Sequence, residues 1–141
     1  MCLRIYVNGD KNLYDELRPH AISLGSAFQK VNFIRDLKDD MVDLGRSYFP
    51  NVEINNLDEK TKNQIEDDIQ NDFDDALIGI SKLPINARYG VYTAYLYYQV
   101  LLKKIKSVNS GSLMKKRIRV NNFHKLLLLP KAKFNILINR L

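Results

Sequence analysis

Gln29, Asn32, Asp36, Asp39 and Asp40 recur at intervals of three, four and one within the stretch QKVNFIRDLKDD, residues 29–40. On a helix of about 3.6 residues per turn these positions share one side, and Gly25 and Asp43 extend the row at its two ends. Asn32, Asp36 and Asp40 are spaced by four, so one amide oxygen and two carboxylates stack on a single ridge. Like charges so placed destabilise an isolated helix by about 0.2–0.5 kcal/mol per pair, which calls for a compensating cation. Mg2+ is suited to that role: it takes oxygen ligands at about 2.1 Å and is commonly held by one or two carboxylates together with waters and phosphate oxygens. Gly25, a turn before Gln29, leaves room beside the helix for a ligand. Arg35, Arg46 and Tyr48 carry donors that match phosphate oxygens. The competing reading is a solvated acidic face, the usual meaning of an Asp run. The aligned amides of Gln29 and Asn32 and the following GRSYFP favour the metal–phosphate reading.

The element that must carry this row reads as one long helix over residues 14–44, with Leu17, Ala21, Leu24, Phe28 and Val31 as its buried stripe and Gly45 as its stop. GRSYFPN is then a loop. Asp58 caps a second helix over about 59–83, whose apolar face is Ile65, Ile69, Phe73, Ala76 or Leu77, and Ile80. Pro84 closes it, and a tyrosine-rich helix follows over about 86–107. SVNSGS reads as a flexible connector, KKRIRV as a briefly extended basic stretch, and a last helix starts near Asn121 or Asn122 and breaks near Pro130. MCLRIY looks like the tail of a helix. No convincing strand period is present, so the fold class is all-α.

Composition narrows the function further. The single Cys2 excludes an internal disulfide framework and fits a reducing compartment, and His20 and His124 have no partners at zinc spacing. No secretory leader is visible and the longest apolar run, Leu126–Leu129, is far too short to span a bilayer, so a cytoplasmic location is expected. The net charge is +6, yet every acidic residue lies at or before Asp75. The basic remainder favours an anionic partner: phosphate, nucleic acid or a membrane surface. Nucleic acid is the least favoured, because the basic residues follow no recognised motif and the acidic ridge repels a phosphate backbone. KLLLL and NILINRL could rest on anionic lipid as a peripheral contact, although packing onto the fold is the simpler reading.

The residues resemble a known family. QKVNFIRDLKDD followed by GRSYFP is similar to the second aspartate-rich region of the squalene and phytoene synthases, Gln-x-x-Asn-x-x-Arg-Asp-x-x-(Glu/Asp)-Asp and then Gly-Arg-x-Tyr-x-Pro. Gln29, Asn32, Arg35, Asp36, Asp39 and Asp40 meet the first part, and Gly45, Arg46, Tyr48 and Pro50 the second. AISLGSAFQ fits the family's approach to the motif. ARYGVYTAYLYYQVLLKKI resembles its later tyrosine-bearing helix, with Tyr97 as the best match, and KKRIRV resembles its basic segment near the C-terminus, with Arg117 as the phosphate-binding counterpart. Asp39 stands where phytoene synthases more often have Glu, Lys38 where a small residue is common, and Phe49 where Leu is frequent; none of these removes a ligand. The family's earlier Asp-x-x-x-Asp motif is not supplied upstream of residue 29, where Asp10, Asp15 and Glu16 have the wrong spacing.

The resemblance implies the C-terminal part of an isoprenoid-synthase helical bundle, residues 1–141, with the half bearing the first aspartate-rich motif absent. It implies a transferase that joins two isoprenyl diphosphates head to head: geranylgeranyl diphosphate into phytoene, in carotenoid biosynthesis and without NADPH, or farnesyl diphosphate in a squalene-type synthase. Mg2+, with Mn2+ as an alternative, would be held by Asn32, Asp36 and Asp40, supported by Gln29 and Asp39. Arg35, Arg46, Tyr48 and Arg117 would hold diphosphate, and the Tyr97 hydroxyl would lie near the reacting cation or the departing group. Phe28, Tyr92 and Tyr95 are read as core packing ahead of tunnel lining. The chain by itself is expected to be inactive, and to self-associate or to pair with the missing half as a split or non-catalytic subunit.

Overall fold

In the computed structural model the backbone is described for residues 2–43, 58–113, 118–119 and 122–138, and side chains for these except residues 37–43 and 122–126. Every regular element among them is a helix: α1 (Cys2–Tyr6), α2 (Lys11–Asp43), α3 (Glu59–Lys82), α4 (Ile85–Lys106), α5 (Ser110–Leu113) and α6 (Asn122–Leu137). The all-α expectation holds.

α1 is a short helix that stops in a left-handed pair. Asn8 (φ 51°) and Gly9 (φ 81°) send their N–H groups back to Ile5 and Arg4, which satisfies the last carbonyls of the helix. Asp10 then caps α2 by accepting from the Leu13 N–H at 3.1 Å. α2 has 33 residues and a length of about 50 Å. It contains Pro19 near its start. Asp58 caps α3 through the Thr61 N–H at 2.7 Å, as its sequence predicts. The corner from α3 into α4 is held by the Arg88 guanidinium, which donates twice to the Leu83 carbonyl, at 3.0 and 2.8 Å.

α2 packs mainly on α3, and α4 lies against both and against α6. Ala27, Val31 and Ile34 of α2 meet Ile69, Phe73 and Ile80 of α3 and Leu101, Leu102 and Ile105 of α4 in one core. A polar seam runs beside it along α2 and α3. The His20 ring is 2.9 Å from Asp75, Ser26 donates to Asp72 at 2.7 Å, and the Lys30 ammonium bridges Asp68 and Asp72 at 2.5 and 2.7 Å. The crowded carboxylates of α3 are thus the partners of α2 as well as a solvated face.

Two sequence expectations are corrected. The SVNSGS connector contains a helical turn, α5, whose Leu113 is buried. α6 does not break at Pro130 but continues to Leu137. An interior proline costs a helix about 3 kcal/mol, and tertiary packing on α4 outweighs that here. Ala132 is fully buried, the Tyr89 hydroxyl donates to the Leu129 carbonyl at 3.2 Å, and Asn135 donates to the Tyr92 hydroxyl at 3.0 Å. No helix among the described residues is long and apolar enough to cross a membrane.

Candidate active site

Asn32 and Asp36 lie one turn apart on α2, and both are partly buried. The Asn32 amide faces α4: its Nδ2 is 3.1 Å from the Tyr98 hydroxyl, which in turn lies 3.3 Å from Asn32 Oδ1. Asp36 is gripped by its neighbour. Arg35 Nε donates to Asp36 Oδ1 at 3.0 Å and Nη2 to Oδ2 at 2.5 Å, a fork-on-fork pair with each side chain about one-fifth exposed. The Asp36 hydrogen bonds come first among the causes that hold the Arg35 guanidinium above its ordinary basicity, and Tyr97 and Tyr98 lie close enough to add to it.

The Tyr98 ring stacks on Phe28 with centroids 3.9 Å apart and planes 18° from parallel, and Tyr97 meets Tyr98 edge-on at 5.3 Å. Phe28 in turn lines a cavity of about 430 Å³ between α1, α2, α3 and α4. Along α2 the cavity touches Leu17, Ala21, Leu24, Gly25 and Phe28, so it follows the helix for about 16 Å and ends one turn short of Asn32. Leu3, Leu83 and His20 line it as well, and most of its wall is hydrocarbon. An apolar slot and a polar helix turn therefore meet end to end, with the Phe28–Tyr98–Asn32 chain of contacts as their junction.

The sequence-predicted site residues divide as follows. Asn32, Arg35 and Asp36 are gathered as above, Gln29 is exposed about one turn before Asn32, and Tyr97 is half-buried beside Tyr98. Asp39 and Asp40 lie on the helical backbone of α2, but their side chains are outside the described residues, as are Arg46, Tyr48 and Arg117 altogether. Tyr92 and Tyr95 are core residues, as expected; Tyr95 packs edge-on against Phe73, and burial foremost pushes its hydroxyl up to about 12. Phe28 differs from expectation, since it packs against the core and also lines the cavity.

The family described as "Squalene/phytoene synthase" matches residues 1–124. This chain belongs to the squalene/phytoene synthase family. A curated member, the 15-cis-phytoene synthase of Synechocystis sp., is 33% identical over 127 residues, which takes in 79% of this chain and 37% of the relative. The chain thus spans little more than a third of the length of that synthase. No solved structure matches it.

Within this family member the residue that sequence reasoning missed is Tyr98. Val91 and Ala94 of α4 line the cavity, and Tyr98 lies one further turn along the same face. Tyr97 is rotated from that face by about 100°. The spacing 91, 94, 98 was the available signal. As ligands, Asn32 and Asp36 offer hard oxygen donors one turn apart, the kind that Mg2+ or Mn2+ accepts. Each Asp36 carboxylate oxygen accepts from Arg35, and a carboxylate oxygen has more than one lone pair to offer. Among the described residues no three His, Cys, Asp or Glu side chains form a metal site, and the Asp39 and Asp40 side chains are not among those residues.

Proposed function

We propose that this chain supplies one bank of the active site of a head-to-head isoprenyl diphosphate transferase that joins two geranylgeranyl diphosphates into phytoene, with Mg2+ as cofactor. The observation that carries the reading is the junction on α2, where the cavity ends at Phe28 and the oxygen- and guanidinium-bearing turn begins at Asn32. That layout fits an amphipathic ligand: hydrocarbon along the slot, diphosphate at the turn. The phytoene product is favoured by the relative's name, 15-cis-phytoene synthase, and by the wording of the Asn32–Asp40 motif.

The demanding step is ionisation of the allylic diphosphate. The C–O bond breaks heterolytically, the electron pair departs with diphosphate, and a delocalised cation stays on the hydrocarbon. Bound Mg2+, held by Asn32, Asp36 and Asp40, would neutralise charge building on the departing oxygens. Arg35 adds a fixed positive charge at the same turn, and its anchorage on Asp36 limits its reorganisation when that charge develops. Tyr98 orients the Asn32 amide, and Phe28 keeps water from the cavity end of the turn. Arg46, Tyr48 and Arg117 would complete the diphosphate cradle, with Gln29 and Asp39 supporting the ligands and Tyr97 presenting a hydroxyl nearby. The opposing carboxylate bank would come from outside these 141 residues.

Isothermal titration with a non-ionising geranylgeranyl thiodiphosphate tests the reading. Binding is expected only with Mg2+ or Mn2+ present, and is expected to be lost in Asp36→Ala. Binding that ignores both the metal and Asp36 would refute it.

A further inference from the structure

Three glycines line the cavity, Gly25 on α2, Gly79 on α3 and Gly90 on α4. They are present for different reasons. A Cβ at Gly79 would stand 2.4 Å from the Cβ of His20, so the contact of α2 with α3 demands glycine there. A Cβ at Gly25 or Gly90 would meet nothing within 4 Å. Both sit inside long helices, and neither has the positive φ that glycine alone tolerates well. Glycine within a helix lowers its stability relative to alanine. The described packing therefore gives no reason for these two residues; both are exposed, and both open onto the cavity.

Their depth is alike. Gly25 precedes Asn32 by seven residues, about 10 Å along α2, and Gly90 precedes Tyr98 by eight, about 12 Å along α4. Asn32 and Tyr98 are bonded to each other, so each glycine is set back from the polar turn by a similar length of its own helix. A side chain at that level would obstruct the distal part of a long hydrocarbon and leave the first units and the head group untouched.

We infer that Gly25 and Gly90 set the bore of the cavity and so determine which isoprenyl chain length it admits. This rests on the reading of the cavity as the hydrocarbon site of an isoprenyl diphosphate.

The test is isothermal titration of the chain, in Mg2+, with inorganic diphosphate, geranyl thiodiphosphate and geranylgeranyl thiodiphosphate. For Gly25→Leu and Gly90→Leu the Kd of the geranylgeranyl analogue is expected to rise about tenfold or more, with the geranyl analogue and inorganic diphosphate unchanged. Gly25→Ala and Gly90→Ala, which favour the helix, are expected to melt at or above the parent temperature and to show a smaller loss in the same direction; they decide the matter where a Leu variant does not fold. Unchanged geranylgeranyl affinity in folded variants, or equal loss for the short and long analogues, overturns the inference and leaves the parent reading intact. A parent chain that binds the geranylgeranyl analogue no better than inorganic diphosphate overturns that reading, and the inference with it.

Discussion

The Asn32 carboxamide and the Tyr98 hydroxyl, 3.1 Å apart, tie α2 to α4 at the level where the hydrocarbon wall gives way to the polar turn. The same tyrosine stacks on Phe28, a cavity residue. One side chain therefore registers two helices, backs the Phe28 ring that ends an apolar slot and fixes the orientation of an amide that the proposed chemistry uses as a ligand.

Tyr98→Phe keeps the ring stack and removes the hydroxyl. The half-buried Asn32 amide then loses its partner, at a cost of about 1 kcal/mol, read as a lower urea midpoint. Mg2+-dependent affinity for geranylgeranyl thiodiphosphate should fall with it. Tyr97→Phe should leave Asn32 bonded and that affinity near the parent's. The reverse ranking would move the ligand-orienting role from Tyr98 to Tyr97.

Arg35 and Asp36 form a pair in which each loses something different when broken. Asp36→Asn removes a carboxylate ligand and should abolish the metal dependence of inorganic diphosphate binding. Arg35→Gln leaves the ligand and removes one fixed charge, so metal dependence should persist while affinity drops. In an assembly that forms phytoene, loss of one such electrostatic group should lower turnover by about 10²-fold or more. Product formation assayed by chromatography checks it, and near-parent turnover in Asp36→Asn would remove Asp36 from the metal site.

The 141-residue chain alone, incubated with geranylgeranyl diphosphate and Mg2+, is expected to yield no phytoene, because no Asp-x-x-x-Asp pair stands before residue 29. Adding a segment that carries that motif should restore product. Robust phytoene from the chain by itself would show that one carboxylate bank suffices.

Much of this was legible in the sequence because it was local. The caps, the long apolar periods and the spacing of Asn32 and Asp36 each depend on residues a few positions apart. What was not legible depended on contacts between helices. The stripe Leu17, Ala21, Leu24, Phe28 and Val31 reads as uniform core, yet only Leu17 and Val31 are fully buried, while Ala21, Leu24 and Phe28 border the cavity. Ala27, Phe33 and Ile34 lie off that stripe and are buried, because α2 meets α3 on one side and α4 on another. The Tyr98–Asn32 bond was not legible either, because a rotation of about 100° decides which of two adjacent hydroxyls meets Asn32. Pro130 signals a break on propensity, and only the seating of α6 on α4 overrides it.

Lys62 and Glu66 form a buried pair on α3, 2.6 Å apart and with side chains 3% and 6% exposed. Attraction is what holds them, because the angle of approach leaves Glu66 Oε1 without a hydrogen bond to a described residue. Removing one charge from such a pair costs about 3–5 kcal/mol, whereas replacing both with apolar groups of similar volume is often neutral. Lys62→Met should therefore be severely destabilised in urea, and Lys62→Met with Glu66→Leu should recover most of the loss. Equal losses in the single and double variants would show that the charges do not depend on each other.

The pH dependence of stability should show two limbs of different origin. On the acid side, hydrogen bonds from Ser23 foremost and then His20 hold the Asp75 carboxyl below its ordinary value of 3.8. The folded chain binds that proton less tightly than the unfolded one, so its contribution is present above that value and is lost as pH falls through the lowered one. Asp75 is 42% exposed on its side chain, so this limb is shallow. On the alkaline side two groups act together. Burial alone would lower Lys30, but its bonds to Asp68 and Asp72 raise it above 10.5, and burial raises Tyr95 to about 12. The folded chain holds both protons more tightly, so this stability is complete below about pH 10 and is lost as pH rises toward 12. Thermal melts across pH should show a plateau between the limbs, with a steeper fall above pH 10 than in acid. Lys30→Met should flatten part of the alkaline fall, and tyrosinate absorbance should still be rising near pH 12. An alkaline limb unchanged in Lys30→Met would detach the α2–α3 bridge from it.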